Sequence, residues 1–186
     1  MEIKFRALKA DEIECRISTV TEKGVSLLLY KDARCDMNIL DEAVGPMNWM
    51  RHHSRDNANC IVSLWDSEKG MWVEKEDTGK ESYSEKEKGL ASDSFKRACF
   101  NWGIGRELYT APFIWIPAEK CSIYGSGRCD NKGKPILGCN TKFRVSGFTV
   151  DQNKKIVYLQ IVARVKNPTT NQTEIEVVYQ YGDKPF

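Results

Sequence analysis

Residues 84–112, with the sequence SEKEKGLASDSFKRACFNWGIGRELYTAP, constrain the fold of this chain more than any other segment. Ser84 and Glu87 have the spacing of a capping box, in which two side chains bond free amides of the first helical turn. Gly103 can end the helix, because glycine adopts a left-handed conformation without a steric penalty. The apolar residues between these ends fall on one helical face and comprise Ala91, Phe95, Ala98, Cys99 and Trp102. The pattern predicts one long helix that packs on a core through that face.

The opposite face of this predicted helix is polar and basic. Lys96 and Arg97 are adjacent, and Phe100 follows one turn after Lys96. Adjacent cations can hold a sugar-phosphate backbone, and an aromatic ring can stack on a base. The same residues also suit a solvated helix face whose charges serve solubility, so the spacing leaves both interpretations open.

Three segments of the chain, in order, carry a resemblance to a known family. The first is residues 30–49, YKDARCDMNILDEAVGPMNW. The second, residues 60–79, has the pattern of a strand, a turn and a strand that ends in EDTG, and the third is ASDSFKRACFNWGIGRELY of the predicted long helix. Over residues 13–116, the chain resembles the single-strand annealing recombinases of the Rad fifty-two/twenty-two superfamily. The ending GIGRELYTAP is similar to that of the phage-type branch.

The resemblance implies an α+β fold in which an antiparallel β-meander packs on the long helix, as a β-β-β-α core with a C-terminal β extension. It implies ATP-independent binding of single-stranded DNA and annealing of complementary strands in phage homologous recombination and double-strand break repair. Family members form rings, so a homo-oligomeric ring or filament is expected, with a phage or host single-strand binding protein as a further partner. Neither catalysis nor a cofactor is expected.

The resemblance also assigns DNA-binding positions. Lys96 and Arg97 match the cation pair that lines the inner DNA groove of the family. Phe100 occupies the next cationic position of the eukaryotic protein, where it could stack a base or pack on a neighbour. Arg34 lies beside the position of a further DNA-contacting arginine, and its alternative role is an ion pair with an acid such as Asp36.

Four more cations are DNA-binding candidates. Arg51 and Arg55 lie on and after a predicted strand, near an outer-site lysine of the family. Lys80 lies near the other outer-site lysine, and ordinary surface charge is the alternative for all three. Arg106 follows two glycines and suits a phosphate contact, a bond to helix-end carbonyls or a contact with a neighbouring subunit.

A single domain is predicted over residues 1–186, in which the resemblance implies a core at 13–116. The pattern along the chain predicts a loop at 118–141 and a C-terminal β extension at 142–186. Helical spacing predicts a short helix over 11–16 and a longer one over 33–44, which Gly45-Pro46 ends. A composition rich in glycine, lysine and asparagine predicts a mobile loop over 120–141. Strands are predicted at 24–30, 48–54, 59–66, 71–76, 109–116, 142–150, 155–166 and 173–181. For 24–30 the alternative is the run into the next helix, and for 109–116 it is an extended arm.

The composition limits the kind of nucleic-acid site that the chain can carry. A formal net charge of +2 argues against a surface covered with phosphate contacts, so a binding site must be a local stripe of cations. Seven cysteines without a C-x-x-C pair favour a reducing compartment and argue against a zinc site. No apolar run reaches the length of a membrane span, and the N-terminus lacks the apolar region of a signal peptide. The expected location is the bacterial host cytoplasm, without membrane contact.

Two other function classes stay open. A metal-dependent nuclease of the same recombination context is suggested by acids around one predicted hairpin, namely Asp66, Glu68, Glu74, Glu76 and Asp77. Such sites need an acid and a Glu-x-Lys on one strand face, whereas Glu74 and Lys75 are adjacent and therefore point to opposite faces. An RNA-binding or scaffold module could use the same basic helix face. The phosphate-binding loop of ATPases does not occur in the sequence.

Overall fold

The structure is a computed structural model that describes residues 3–80, 86–166 and 172–184. Within these ranges it is an α+β fold of mostly antiparallel strands with two α-helices, α1 (Ala33–Val44) and α2 (Lys86–Trp102). The same ranges hold the strands β1 (Glu14–Thr21), β2 (Gly24–Tyr30), β3 (Trp49–Ser54), β4 (Asn59–Asp66), β5 (Met71–Thr78), β6 (Ile114–Pro117), β7 (Ile123–Cys129), β8 (Pro135–Cys139), β9 (Phe143–Val150), β10 (Ile156–Lys166) and β11 (Thr173–Tyr181). The α+β class predicted from the sequence is confirmed at this level. In the described ranges, no helix combines the length and the apolar character needed to cross a membrane.

The chain divides into two compact units. One comprises the residues up to Leu8 together with Lys31–Arg106, and the other comprises Lys9–Tyr30 together with the residues from Glu107 onward. The first, which we call the helical unit, holds α1, α2 and strands β3 to β5. The second, which we call the sheet unit, holds the remaining strands.

The strands of the helical unit pair antiparallel in the order β3-β4-β5, with Trp49 opposite Leu64 and Trp65 opposite Trp72. The apolar face predicted for α2 is largely confirmed, since Phe95, Ala98 and Cys99 are fully buried. Trp102, at the end of the helix, is half-buried and donates its indole N–H to a backbone carbonyl of β4 over 3.0 Å. Ser84, the predicted N-cap, lies outside the described residues.

Helix α1 has the bounds that the sequence predicts. Asp32 caps its N-terminus, because the carboxylate accepts hydrogen bonds from the backbone amides of Arg34 and Cys35. Gly45 ends the helix with φ of +82°, a conformation that glycine adopts without strain. The buried side of α1 carries Ile39 and Leu40, both with no exposed surface.

The sheet unit contains a six-stranded sheet in the order β11-β10-β9-β1-β2-β6. Side chains also join the two strands at the ends of this order. The hydroxyl of Tyr179 in β11 donates to the carbonyl of Phe113 beside β6 over 3.2 Å, and Lys120 pairs with Glu176. The enclosed core consists of large aliphatic side chains that are almost completely buried, including Val25, Leu27, Ile114, Ile116, Ile156, Leu159 and Ile161.

Two predicted local structures are wrong. The short helix expected over 11–16 is a single 3-10 turn at Ala10–Glu12 followed by β1, because Glu14, Cys15 and Arg16 pair with β2 instead. The mobile loop expected over 120–141 is an antiparallel hairpin of β7 and β8. Its turn is ordered by Asp130, whose carboxylate accepts hydrogen bonds from the backbone amides of Lys132 and Lys134.

The predicted boundaries within the chain also differ from the observed ones. Strand β9 pairs with β1, with Arg144 opposite Glu14, so the strands after residue 142 share one sheet with β1, β2 and β6 and are not a separate extension. The predicted core at 13–116 contributes to both units for the same reason. Pairing between strands distant in the sequence is decided by tertiary contacts, which local composition does not reveal.

Candidate nucleic-acid interface

The two adjacent cations of α2 have different neighbours. Lys96 is half-buried, and its charge acts on the buried carboxylate of Asp36 in α1. Arg97 places Nε 3.6 Å from Oδ1 of Asp77 in β5. Because neighbouring residues of a helix point about 100° apart, Lys96 lies toward α1 and Arg97 toward β5. The predicted pair is therefore divided between two flanks of the helix.

Arg51 is exposed on β3, an edge strand of the three-stranded sheet. Its guanidinium carbon lies 4.8 Å from the centroid of the Phe95 ring, which is within the range of a cation–π contact. The same ring stacks on Trp49, with the centroids 6.1 Å apart. Since Phe95 directly precedes Lys96, the structure brings two predicted DNA-binding cations from different elements to one turn of α2.

Phe100 packs on a neighbouring side chain, which is one of the two roles expected for it. Nζ of Lys31 lies 4.7 Å from the centroid of the Phe100 ring. A cation in this position is attracted by the negative face of the ring. Stacking on a base would therefore have to use ring surface that Lys31 does not cover.

Arg55 and Lys80 are both anchored near the same turn of α2. Arg55 opens a turn of three residues with positive φ, and the hydroxyl of Ser94 donates to the carbonyl of Asn57 at its end. The Lys80 amide donates to the carboxylate of Asp93 over 2.8 Å. Both side chains are exposed and form no hydrogen bond or ion pair with other described residues. The structure thus anchors the backbone beside each of these two candidates to neighbouring residues of α2, Ser94 and Asp93.

Arg34 and Arg106 have local partners. The Arg34 side chain is 85% exposed but pairs with the N-cap Asp32, with Nη2 2.8 Å from Oδ2. Arg106 donates to the carbonyls of Phe100 and Asn101 at the C-terminal end of α2. Bonding of helix-end carbonyls was one of the roles expected for Arg106, and this is the role observed.

A buried ion pair of Lys31 and Asp36 was missed by the sequence analysis. Their side chains are 2% and 0% exposed, and the ammonium group donates to both carboxylate oxygens. Gly105 makes room for it, because a Cβ there would lie 2.2 Å from Cε of Lys31. The sequence does hold a signal, since Asp36 occupies the same helical face as Ile39 and Leu40, three and four residues later. An acid in an apolar stripe indicates a buried partner.

The burial of Asp36 predicts a pH dependence of stability. Burial raises the pKa of its carboxyl from the usual 3.8 to about 6, although the ammonium groups of Lys31 and Lys96 oppose the rise. The folded protein then binds this proton more tightly than the unfolded chain, so the contribution of Asp36 to stability falls as the pH rises from about 4 to about 6.

We expect urea unfolding at several pH values to show this loss of stability in the wild-type protein and not in Asp36→Asn. An equal pH dependence of the free energy of unfolding in both proteins would contradict the assignment to Asp36.

The acids of the β4–β5 hairpin do not form a metal site in the structure. Glu74 accepts a hydrogen bond from Ser63, Glu76 accepts one from Asn59, and Asp77 pairs with Arg97. Among the described residues, no group of three or more histidine, cysteine, aspartate or glutamate side chains could hold a metal ion.

Comparison with known proteins gives little similarity. No model of a protein family matches the sequence, and no curated protein matches it. Among solved structures, a protein of unknown function from Bacteroides fragilis is 14% identical over 93% of both chains, with a TM-score of 0.12.

Proposed function

We propose that this protein binds single-stranded DNA without sequence preference and anneals complementary strands without ATP. The observation that carries the proposal is the contact of Arg51 with Phe95, which adds a strand cation to the helix turn of Lys96 and Arg97. These three cations from two elements surround one turn of α2 on different flanks, and we call this local group the stripe around α2. A chain with a net charge of only +2 requires such a local group of cations. The three sequence segments that resemble annealing recombinases support the same function.

We further assign β3, β4, β5 and α2 to the β-β-β-α core of that family. Three hydrogen bonds between the helix end and the strands support the assignment. The Trp102 indole donates to Val62, the Asn101 amide donates to the carbonyl of Glu76, and the Lys75 ammonium donates to the carbonyl of Asn101. These bonds fix the last turn of α2 on β4 and β5, so the helix carries its cations on a rigid support.

Each cation of this stripe would act on the DNA backbone, with the bases left accessible for pairing. Arg51 is exposed and can reach a phosphate directly. Arg97 is partly exposed, and its distance of 3.6 Å from Asp77 is long for an ion pair. A phosphate can therefore replace this weak pair at little cost. Neutralising the phosphates of two strands reduces their repulsion, and holding them in place raises the annealing rate without any bond chemistry.

Three phosphate contacts are few for a stable complex. They predict a slope of about −2 for the logarithm of the binding constant against the logarithm of salt concentration, at roughly −0.7 per contact. A homo-oligomeric ring or filament would multiply the contacts along one strand and so provide the missing affinity.

The test is the annealing of two complementary oligonucleotides, one of them fluorescent, without ATP or metal. Lys96→Gln/Arg51→Gln should anneal slowly and lower the salt slope of oligothymidylate binding by about 1.4, because two contacts are lost. The matched control is Lys132→Gln/Lys134→Gln, which removes two exposed charges from the turn between β7 and β8. This control should anneal like the wild type, and far-ultraviolet circular dichroism should show both variants folded.

Three results would overturn the proposed function. One is the absence of wild-type annealing at every salt concentration. Another is loss of the labelled strand when magnesium is added, which would favour a nuclease. The third is equal affinity for single-stranded DNA, RNA and duplex DNA, which would favour an RNA-binding or scaffold module.

A further inference from the structure

A second group of cations lies on the sheet unit, outside every DNA-binding position expected from the sequence. Its members are exposed side chains on or beside two adjacent strands, β9 and β10: Lys142, Arg144, Arg164 and Lys166. We call this group the strand patch. None of the four side chains forms a hydrogen bond or ion pair with any other residue in the ranges that the structure describes. Four like charges that form no local ion pair repel one another, and a bound anion would offset this repulsion.

The alternation of the strands places the strand patch on one face. Ile161, Ala163 and Val165 of β10 point into the buried core, so Arg164 and Lys166 point outward. In β9, Val145 is buried and Arg144 points outward by the same rule. The cations within each strand are two residues apart, which corresponds to about 6.7 Å along a strand.

The pairing of β9 with β10 brings the two pairs of cations into one group. Arg144 lies opposite Val162, and Phe143 lies opposite Ala163. Lys142 therefore lies opposite Arg164, on strands that run about 4.8 Å apart. Along the direction of the strands, the resulting order is Arg144, then Lys142 with Arg164, then Lys166, which is a continuous line of positive charge.

A shallow cleft accompanies this line. It has a volume of about 260 Å³, and its lining includes Lys142, Arg144 and Arg164 together with Val162 and Ile175. Ile175 lies opposite Arg164 on β11 and is 61% exposed. The cleft thus offers cations for phosphates and an aliphatic surface that can contact the flat faces of sugars or bases.

Acidic side chains lie on both strands that flank the strand patch, β1 and β11. Glu14 of β1 lies opposite Arg144, and its carboxylate accepts a hydrogen bond from the Tyr30 hydroxyl. Glu176 of β11 is engaged with Lys120. The path from Arg144 to Lys166 therefore stays positively charged, which suits an extended polyanion better than a single small anion.

We propose that the strand patch is a second binding surface for the phosphate backbone of single-stranded DNA. The inference rests on the proposed function, because annealing requires two strands to be held by the protein at the same time. The stripe around α2 would hold one strand, and the strand patch would hold the other. The four cations of the patch would add about −2.8 to the salt slope of binding when all contact phosphates.

The test compares Lys142→Gln/Arg164→Gln with Lys132→Gln/Lys134→Gln, which changes the net charge equally within the same unit. Binding of fluorescein-labelled oligothymidylate is measured by anisotropy over a range of salt concentrations. The patch variant should bind more weakly, with a salt slope lower by about 1.4, and the control should retain the wild-type slope. Both pairs of residues are exposed, so both variants should fold.

Equal slopes for the patch variant and the wild type would overturn the inference. It would also be overturned if the patch variant lost binding to an oligoglutamate while its DNA binding was unchanged, which would indicate an acidic peptide as the ligand. A wild-type protein that binds DNA through the strand patch but does not anneal would instead contradict the proposed function alone. The two failures are therefore distinguishable in the same set of proteins.

Discussion

Replacing Lys31 with methionine is expected to lower the free energy of unfolding by about 3–5 kcal/mol, because it leaves a buried carboxylate without its cation. Asp36 has no exposed surface, and Lys31 is its ion-pair partner. Methionine has a similar length, so packing against the Phe100 ring is largely kept. The loss should be measured by urea unfolding near neutral pH, where Asp36 is charged in the wild-type protein.

Two further variants separate the buried charge from other effects of this substitution. Lys69→Met removes an exposed cation that pairs with Asp66, where the atoms are 3.3 Å apart, and should lower the free energy of unfolding far less than Lys31→Met. Lys31→Met/Asp36→Leu removes both charges and should recover most of the lost stability. A double variant as unstable as Lys31→Met would show that the interaction with Asp36 is not the reason for the loss.

Replacing Phe95 with alanine is expected to lower the free energy of unfolding by about 3–5 kcal/mol. Phe95 is fully buried, stacks on Trp49 and supports the guanidinium of Arg51. The substitution removes the ring and leaves a cavity between α2 and β3. It should also weaken binding of single-stranded DNA at low denaturant concentration, because Arg51 loses the surface that positions it.

Phe113→Ala is the matched control for this prediction. Phe113 is 76% exposed, and its ring stacks on Trp115 with the centroids 6.4 Å apart. The same chemical change at an exposed site should alter stability by roughly 0.5 kcal/mol. Similar losses in the two variants would mean that burial of Phe95 does not stabilise the helical unit.

Local patterns in the sequence were sufficient for several elements. The spacing of apolar residues gave the bounds of α1, and the buried face of α2 around Phe95 and Cys99 was also predicted. Asp32 and Gly45 mark the ends of α1 because capping depends on residues within one turn. The strands β3, β4, β9, β10 and β11 also lie close to their predicted bounds. These features depend on neighbours in the sequence, so the sequence alone can indicate them.

The candidate site was only partly predictable, because its contacts join residues that are distant in the sequence. The sequence singled out Lys96 and Arg97 as a pair, but the structure gives Arg97 the partner Asp77 from a different strand. It could not show that Arg51 lies over Phe95, since these residues are 44 positions apart in the chain. The role of Arg106 at the helix end was one of three alternatives until its hydrogen bonds were seen.

The sequence by itself determined the α+β class, the two helices and their apolar faces, because periodicity and capping are local properties. Only the tertiary structure decided that β9 pairs with β1 and that Lys31 is buried on Asp36. It also placed Lys142, Arg144, Arg164 and Lys166 on one face, as pairing of β9 with β10 dictates. Register between strands depends on contacts between distant segments, for which a single sequence carries no local signal. Asp36 in an apolar stripe indicates a buried partner, but the stripe does not show which residue that partner is.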